Sequence, residues 1–310
     1  MRHGDVFHPG EIAVQARAGE REIAAARESL IRPRLNDAAN AFVEAQDVVA
    51  VAATAPDGTL WASLWCGTRG FLRGDDDGDG VTILYDLDEH ASDAVRPIVR
   101  PNEPLGLLVI DLETRRRLRI NGIVRRADRA GLEVDIREAF ANCPKYIQKR
   151  LRAGAAPDAS ASGAGAAVER GRTLDEHTRG LIARTDTLFV ASAHGDRGLD
   201  VSHRGGDPGF VRAVDDRTLR IPDYPGNSLF QTLGNFEVDS RCGLAFVDFE
   251  RGRILAATGH ALSEFGAEDP THPAGGTGRY WSFTLDHWIE FSLSSAARWT
   301  LVERSPFNPT

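Results

Sequence analysis

Short apolar runs separated by turn residues dominate the first half of the chain. Residues 48–53 (VVAVAA) are followed by Pro56-Asp57-Gly58 and by residues 60–65 (LWASLW). A turn of this type between two apolar runs predicts a β-hairpin. Further strands are predicted at residues 81–85, at 104–111 and, as the antiparallel partner of the latter, at 115–124.

Helical patterns occur before and between these runs. Residues 11–31 are rich in Ala, Arg and Glu and predict a helix that ends before Pro33. A second helix is predicted around residues 37–45. In the second half, Thr173 followed by Glu176 has the spacing of a capping box, which predicts a helix that begins there.

The second half repeats the order of runs and turns of the first, which indicates an internal duplication. The matched pairs are 187–193 with 48–53, 199–203 with 60–64, 217–221 with 81–85, 242–250 with 105–113, and 254–260 with 118–124. Gly122 and Gly259 fall at the same point of the last pair. Hairpins with this spacing predict a mainly β fold with flanking helices (α+β), in two tandem small barrels.

An Ala-, Gly- and Ser-rich segment separates the two halves and has the composition of a linker. We therefore expect three regions. Residues 1–151 hold an N-terminal helical segment and the first barrel, residues 152–172 form the linker, and residues 173–310 form the second barrel.

Composition excludes several classes of protein. The 310 residues carry a formal net charge of −8, which disfavours nucleic-acid binding. Cys66, Cys143 and Cys242 form no CxxC pair, and the histidines show no HExxH spacing, so neither a disulfide framework nor a metal site is expected. No apolar stretch has the length of a membrane span or a signal peptide. These features predict a cytoplasmic protein that contacts no membrane.

Polar residues that suit an anion lie at the end of one predicted strand. Ser202, His203 and Arg204 offer a hydroxyl, an imidazole and a guanidinium, and two glycines after them would let backbone amides approach a ligand. Residues 225–227 (PGN) precede an apparent helix at 228–235, whose N-terminus could face the same phosphate. The simpler interpretation is an ordinary strand that leads into a glycine loop. Asp223 fits a turn cap as well as a ligand contact.

Residues 202–211 (SHRGGDPGFV) and 221–227 (IPDYPGN) resemble the FMN-binding split-barrel superfamily, which includes pyridoxamine 5'-phosphate oxidase. Within it, the chain is most similar to the larger two-repeat flavin-nucleotide-binding proteins. Residues 7–11 (FHPGE) with Gln15, and residues 142–148 (NCPKYIQ), are also typical of that group. The resemblance implies two tandem split β-barrels.

The same resemblance implies a flavin cofactor, with FMN favoured over FAD. The predicted cofactor-binding residues are Ser202, His203, Arg204, Gly205, Phe210, Val211, Asp223, Tyr224, Gly226, Asn227, Lys145 and Tyr146. His8 and Glu11 are candidates to close the pocket. The basic residues that bind substrate phosphate in pyridoxamine 5'-phosphate oxidase are not found intact here, so pyridoxamine phosphate is not expected as the substrate.

The first barrel offers a weaker phosphate site. No Arg lies beside Ser63, and the later loop at residues 86–90 (DLDEH) is acidic, so it would repel a phosphate. Trp61 and Trp65 would either cover the flavin of the second barrel or belong to the core. Residues 75–80 (DDDGDG), with Asp86, partly match a calcium loop, but a solvated hairpin tip explains them better.

The function expected from these features is that of an FMN-dependent oxidoreductase acting on an unidentified small molecule. NAD(P)H is a candidate electron donor, and no catalytic residue is assigned. The alternatives are a non-catalytic flavin- or haem-binding module of the same fold and an inert structural repeat protein. The barrels are expected to pair within one chain as a pseudo-dimer or between chains as a homodimer.

Overall fold

The computed structural model describes residues 6–84, 93–153, 168–195, 197–269, 273–293 and 298–309. Its N-terminal segment contains three helices, Pro9–Arg17 (α1), Arg21–Ala25 (α2) and Asp37–Ala45 (α3), and a 3-10 turn at Glu28–Leu30. The single helix predicted over residues 11–31 is wrong. The chain leaves the helix after Arg17, where Gly19 takes a φ of 71°, a conformation that suits glycine.

The first half forms a seven-stranded antiparallel sheet. Its strands are Val48–Thr54 (β1), Leu60–Cys66 (β2), Leu72–Gly74 (β3), Gly80–Ile83 (β4), Pro104–Asp111 (β5), Arg116–Asp128 (β6) and Gly131–Asn142 (β7). They are arranged in the order β2-β1-β5-β6-β7-β4-β3. Residues 75–79 connect β3 to β4 as the tip of a hairpin, as predicted. Asp86 lies outside the described residues.

The second half forms a sheet with the same order of strands. In chain order, two short strands follow the first sheet and precede the second, Lys149–Ala153 (β8) and Glu169–Gly171 (β9). The second sheet contains Thr187–His194 (β10), Gly198–Gly205 (β11), Arg212–Ala213 (β12), Thr218–Pro222 (β13), Arg241–Asp248 (β14), Arg253–Glu264 (β15) and Tyr280–Ser292 (β16). Its order, β11-β10-β14-β15-β16-β13-β12, repeats that of the first sheet strand for strand, and β9 pairs with β16. The fold is mainly β, in two tandem split barrels, as predicted.

Two helices belong to the second barrel, Glu176–Arg184 (α4) and Gln231–Val238 (α5). The cap of α4 is Asp175, whose side chain accepts a hydrogen bond from the Thr178 amide, so the cap predicted at Thr173 is wrong. The last strand, Arg298–Glu303 (β17), pairs with β8 and so joins the C-terminus to the end of the first half. The ends of the predicted linker thus lie in strands, while residues 154–167 are outside the described residues.

The two barrels pack against each other within the chain, and two equivalent glycines mark the contact. A Cβ on Gly106 of β5 would lie 3.0 Å from the Val201 amide nitrogen of β11. A Cβ on Gly243 of β14 would lie 2.7 Å from the Leu60 carbonyl oxygen of β2. Each glycine therefore permits backbone contact with the opposite barrel, and the contact is built in the same way on both sides. One core cluster accordingly includes buried side chains from both halves, among them Val51 and Phe189.

Among the described residues, no helix is long and apolar enough to cross a membrane.

Candidate functional site

A pocket lies where the end of β11 meets β6 of the other barrel. The first barrel contributes Leu108, Arg117, Arg119, Asn142, Cys143, Lys145 and Tyr146 to its lining. The second contributes Ser202–Gly205, Phe210, residues 222–224, Gly226, Asn227 and residues 230–233. Every predicted site residue except Val211 therefore lies in one pocket. Val211 is buried in the core of the second barrel.

Strand β11 directs alternate side chains to different partners. The Ser202 hydroxyl lies 2.9 Å from the Thr232 hydroxyl at the start of α5. Arg204, two residues further on, donates to Asp223 at 2.8 Å. His203 lies between them and is held by Arg117 of the opposite barrel, so the strand contacts both walls of the pocket.

The proton on His203 can be located from its contacts. Arg117 Nη1 lies 3.0 Å from His203 Nδ1, and a guanidinium can only donate, so Nδ1 accepts. Burial lowers the pKa of His203 well below its ordinary value, and the Arg117 charge adds to the effect, so the ring is neutral at neutral pH. The single proton is therefore on Nε2, which has no hydrogen-bond partner among the described residues.

Arg204 belongs to a chain of ion pairs. Asp223 accepts from Arg204 through one carboxylate oxygen and from Arg279 through the other, at 2.8 and 3.0 Å. Arg279 also donates to Glu20, which follows α1, at 3.0 Å. Asp223 thus orients two arginines and ties the N-terminal segment to the pocket. The Nε of Arg204 remains buried without a partner.

The loop between β13 and α5 and the segment after β7 meet at the rim of the pocket. The Tyr146 and Tyr224 rings lie 4.9 Å apart, and the Tyr146 hydroxyl donates to the Pro225 carbonyl at 2.9 Å. Tyr146, Ser228 and Phe230 adopt positive φ values of 67°, 63° and 58°, which are rare for residues with a side chain. Such backbone strain concentrates at ligand sites, which makes this rim a candidate.

Helix α5 begins at the pocket without a side-chain cap. Its N-cap is Phe230, which has a left-handed backbone conformation. The phenyl side chain of this residue has no hydrogen-bond acceptor, so it cannot cap the helix. Residues 231–233, the first turn of the helix, line the pocket. The amide groups of a first turn have no partner within the helix and carry partial positive charge, so they favour an anion.

Positive charge exceeds negative charge in the described lining. Arg119 forms an ion pair with Asp200 at 3.3 Å, and Arg204 forms one with Asp223. Arg117 and Lys145 form no ion pair with a described residue. Burial lowers the pKa of the Arg117 guanidinium, but an arginine stays charged at neutral pH. The pocket therefore has a net positive charge.

Four buried nitrogen atoms of the lining have no hydrogen-bond partner among the described residues. They are Arg119 Nε, Asn142 Nδ2, His203 Nε2 and Arg204 Nε. The orientation of the Asn142 amide follows from a hydrogen bond of 2.9 Å, in which Asn227 donates to Asn142 Oδ1, so the unpartnered atom of Asn142 is its nitrogen. All four atoms carry hydrogen, so residues of the pocket lining hold unused hydrogen-bond donors. Buried donors without partners are rare in native proteins.

The enclosed volume of the pocket is about 90 Å³. Cofactor sites typically enclose roughly 300–1,000 Å³, so this space suits the phosphate end of a nucleotide and not a complete flavin. A further cavity of about 470 Å³ shares Phe210, Pro222 and Tyr224 with the pocket.

The first barrel has no equivalent pocket in its described residues. The strand registers make Ser63 equivalent to Ser202, since each pairs with the matched residue, Val51 or Val190. Ser63 donates to the buried carboxylate of Asp93 at 2.5 Å, and this carboxylate also accepts from the Val95 amide at 2.8 Å. In the first barrel an internal carboxylate thus binds the hydroxyl whose equivalent, Ser202, lines the pocket of the second barrel.

The arginines that face the pocket are also absent from the equivalent side of the second barrel. Pairing with β5 and β14 makes Ile254 equivalent to Arg117 and Ala256 equivalent to Arg119. In the described residues, the pair of arginines on β6 therefore has no counterpart on β15, and the two sides of the barrel contact differ. The acidic loop that predicted this loss, residues 86–90, lies outside the described residues.

Of the two roles open to Trp61 and Trp65, the structure supports the core. Both are buried inside the chain, where the Trp65 indole donates to Asp93 at 3.3 Å, and neither lines the pocket.

His8 and Glu11 line a small separate cavity on the other side of Gln231 and do not close the main pocket. His8 Nε2 lies 3.0 Å from Asn235 Oδ1, and the His8 amide donates to Glu11 at 2.8 Å. Burial lowers the pKa of His8 to about 4 and raises the pKa of Glu11 to about 8. Both side chains are therefore neutral at pH 7.

The predicted site omits several lining residues, among them Arg117, Arg119, Gln231 and Thr232. Arg117 and Arg119 lie two residues apart on β6, on either side of the apolar Leu118, and this alternation is a signal for a polar site on one face of the strand. Arg119 Nη1 donates to Gln231 Oε1 at 2.7 Å, and this contact joins the first barrel to α5.

No family model matches the chain, and no curated protein matches it. Solved structures do. HupZ of Group A Streptococcus is 20% identical over 40% of this chain and 98% of its own, with a TM-score of 0.31. HutZ, the heme storage protein of Vibrio cholerae, is 13% identical over 34% of this chain and 94% of its own, with a TM-score of 0.24.

A protein related to general stress protein 26, of the pyridoxinephosphate oxidase family, from Clostridium acetobutylicum, is 10% identical over 42% of this chain and 97% of its own, with a TM-score of 0.28. Pyridoxamine 5'-phosphate oxidase-like proteins are thus among the structures found, as the sequence motifs predict. At these identities and TM-scores, the likeness assigns neither a ligand nor an activity to this chain.

Proposed function

We propose that the pocket between the barrels binds the phosphate end of flavin mononucleotide and that the protein is an FMN-dependent oxidoreductase. The observation that carries this proposal is the set of four buried, unpartnered N–H donors beside the uncapped N-terminus of α5. A phosphate monoester has acceptor oxygens only, so it complements such a set.

Arg204, His203 and the first amides of α5 would hold the phosphate. Arg204 would do so through its free Nε while Asp223 keeps its terminal nitrogen in place. A terminal phosphate presents more free oxygens to convergent donors than a bridging phosphate does, which favours FMN over FAD. The Tyr146 and Tyr224 rings at the rim would then contact the rest of the cofactor.

A bound flavin would supply hydride or electron transfer, and the protein would supply binding and orientation. Burial raises the pKa of Tyr146 to about 12, so this hydroxyl keeps its proton at neutral pH. Asp223 is held by two arginines and is not free to act as a base. The lining thus orients its ligands, and no general acid or base is assigned to it.

A non-catalytic flavin- or haem-binding module is the second candidate. One observation bears on haem, namely that the pocket holds a buried imidazole, His203, whose Nε2 has no hydrogen-bond partner among the described residues and would ligate iron once its proton had left. The enclosed volume and the three other free donors favour the flavin phosphate.

An absorption spectrum of the purified protein, followed by chromatography of the ligand that heat releases, tests the proposal. Flavin bands with released FMN are expected, together with bleaching of these bands when NAD(P)H is added. A Soret band would support the haem module, and flavin bands that no reductant bleaches would support storage. A colourless protein that takes up no added FMN would refute flavin binding altogether.

A further inference from the structure

A second cavity, of about 380 Å³, also has Arg117 in its wall. Residues 30–42 of the N-terminal segment form one side of it, and residues 116–118 and 139–141 of β6 and β7 form the other. This volume is in the range of small-molecule sites, about 300–1,000 Å³. Flavin binding does not require this cavity, because the phosphate donors described above lie elsewhere.

The charges that line this cavity have one sign. Arg32, Arg34, Arg116 and Arg117 belong to its described lining, which contains no Asp or Glu. Arg34 forms an exposed ion pair with Asp79 at 3.2 Å. Arg32 and Arg116 form no ion pair with any described residue. Two guanidiniums are therefore available to a ligand.

Helix α3 adds to the positive potential. Asn36, Ala38 and Ala39, at the N-terminus of this nine-residue helix, line the cavity. The Asn36 side chain caps the Ala39 amide at 2.9 Å and so fixes the direction of the helix. The positive end of the helix dipole thus lies on the same side as the arginines.

The floor of the cavity is apolar and its walls are fixed. Leu35, Phe42 and Phe140 are buried, and the Arg116 guanidinium lies 4.8 Å from the centre of the Phe42 ring. The backbones of Arg32 and Ala139 exchange two hydrogen bonds, of 3.1 and 2.7 Å. The cavity therefore exists without a ligand, which lowers the entropic cost of binding.

We propose that this cavity binds a small aromatic organic anion. Its ring would pack on Leu35, Phe42 and Phe140, and its carboxylate, sulfonate or phosphate would be held by Arg32 and Arg116. Because Arg117 also contacts His203 at 3.0 Å, the occupied cavity would be connected to the flavin pocket by one side chain.

A fluorescence titration of the full chain, without added FMN, tests this proposal. The probe is 8-anilinonaphthalene-1-sulfonate, and its neutral analogue N-phenyl-1-naphthylamine serves as the ligand control. We expect the sulfonate to bind one site per chain and the neutral compound to bind much more weakly. In Arg32→Gln/Arg116→Gln, the affinity for the sulfonate should fall by roughly tenfold, since charge-assisted hydrogen bonds are lost.

Arg73→Gln, an exposed arginine on β3 of the same barrel, is the matched control and should not change the affinity. The single variants give the same test if the double variant is not folded. Unchanged sulfonate affinity in these variants would overturn the proposal, as would equal binding of the neutral analogue. FMN affinity should stay the same in the double variant, so failure here is distinct from failure of the flavin proposal.

Discussion

The chemistry of the flavin pocket depends on a few residues whose protons can be assigned. Ser202, His203 and Arg204 form a recognisable motif, because a strand that ends in Ser-His-Arg-Gly-Gly is unusual enough to be found in the sequence alone. Arg117 could not be found in this way, because it reaches the pocket only through its contact with His203 of the opposite barrel, 86 residues away in the chain. Sequence patterns indicate which strands exist, but they do not give the packing of one barrel on the other.

Arg204→Gln should weaken FMN binding by roughly tenfold to a hundredfold, because a charge-assisted hydrogen bond to the phosphate is lost. Binding of riboflavin, which has no phosphate, should not change. Isothermal titration of both ligands measures the difference. Arg184→Gln removes an arginine that is also paired with an aspartate, Asp248, but lies outside the pocket, and it should have no effect. Equal loss of FMN and riboflavin affinity would show that Arg204 does not contact the phosphate.

Glu11→Gln should remove part of the pH dependence of stability. The pKa of Glu11 is raised from 4.5 to about 8 in the folded chain, so its contribution is present at low pH and is lost as the pH rises from 4.5 to about 8. His8 acts in the opposite direction, because its pKa is lowered from 6.5 to about 4 and stability is gained as the pH rises between these values. The net loss therefore falls between pH 6.5 and 8.

Thermal unfolding of both proteins at pH 6.5 and at pH 8 measures this difference. The unsubstituted chain should lose about 1 kcal/mol or more over that interval, or roughly 2–4 °C in Tm, relative to Glu11→Gln. Glu22→Gln, on an exposed position of α2, is the control and should follow the unsubstituted chain. Parallel curves for all three proteins would mean that Glu11 is ionised at neutral pH.

Most strands follow from the sequence at the scale of single elements, because apolar runs and glycine turns define them locally. The predicted strand at residues 60–65 corresponds to β2, and the duplication gives matching partners in the second half. The N-terminal helices are less regular than predicted, since one glycine at position 19 ends the first of them. The start of α5, at Gln231 and not Ser228, depends on the left-handed backbone of Phe230, which no local pattern predicts.

Gly234→Ala tests the packing of α1 on α5. A Cβ at this position would lie 2.6 Å from Glu11 Cα, so the helices would have to separate, and such overpacking costs about 1–3 kcal/mol. Gly180→Ala on α4 is the matched control, because its Cβ would meet no atom closer than Arg184 Nη1 at 3.5 Å. This second variant should be stabilised by about 0.4–1 kcal/mol. Urea unfolding of both variants gives the values, and similar effects in the two would argue against a tight helix crossing.

The whole molecule has two barrels with one strand order, and yet its described residues form only one cationic pocket at the contact between the barrels. The symmetry is present in the backbone, where Gly106 and Gly243 make equivalent contacts. It is absent from the side chains, where Asp93 occupies one site and where Ile254 and Ala256 replace the two arginines. The sequence predicts this asymmetry from an acidic loop, but the buried carboxylate of Asp93 explains it more directly. Whether two such chains associate stays a prediction.

The number of FMN molecules bound per chain tests this account most directly. Titration of the ligand-free protein with FMN, at protein concentrations well above the Kd, gives this number from the end point of flavin fluorescence quenching. We predict one FMN per chain, held between the barrels. Two FMN molecules per chain would contradict the assignment of Asp93 as the group that fills the other site, and the absence of an end point would contradict flavin binding itself.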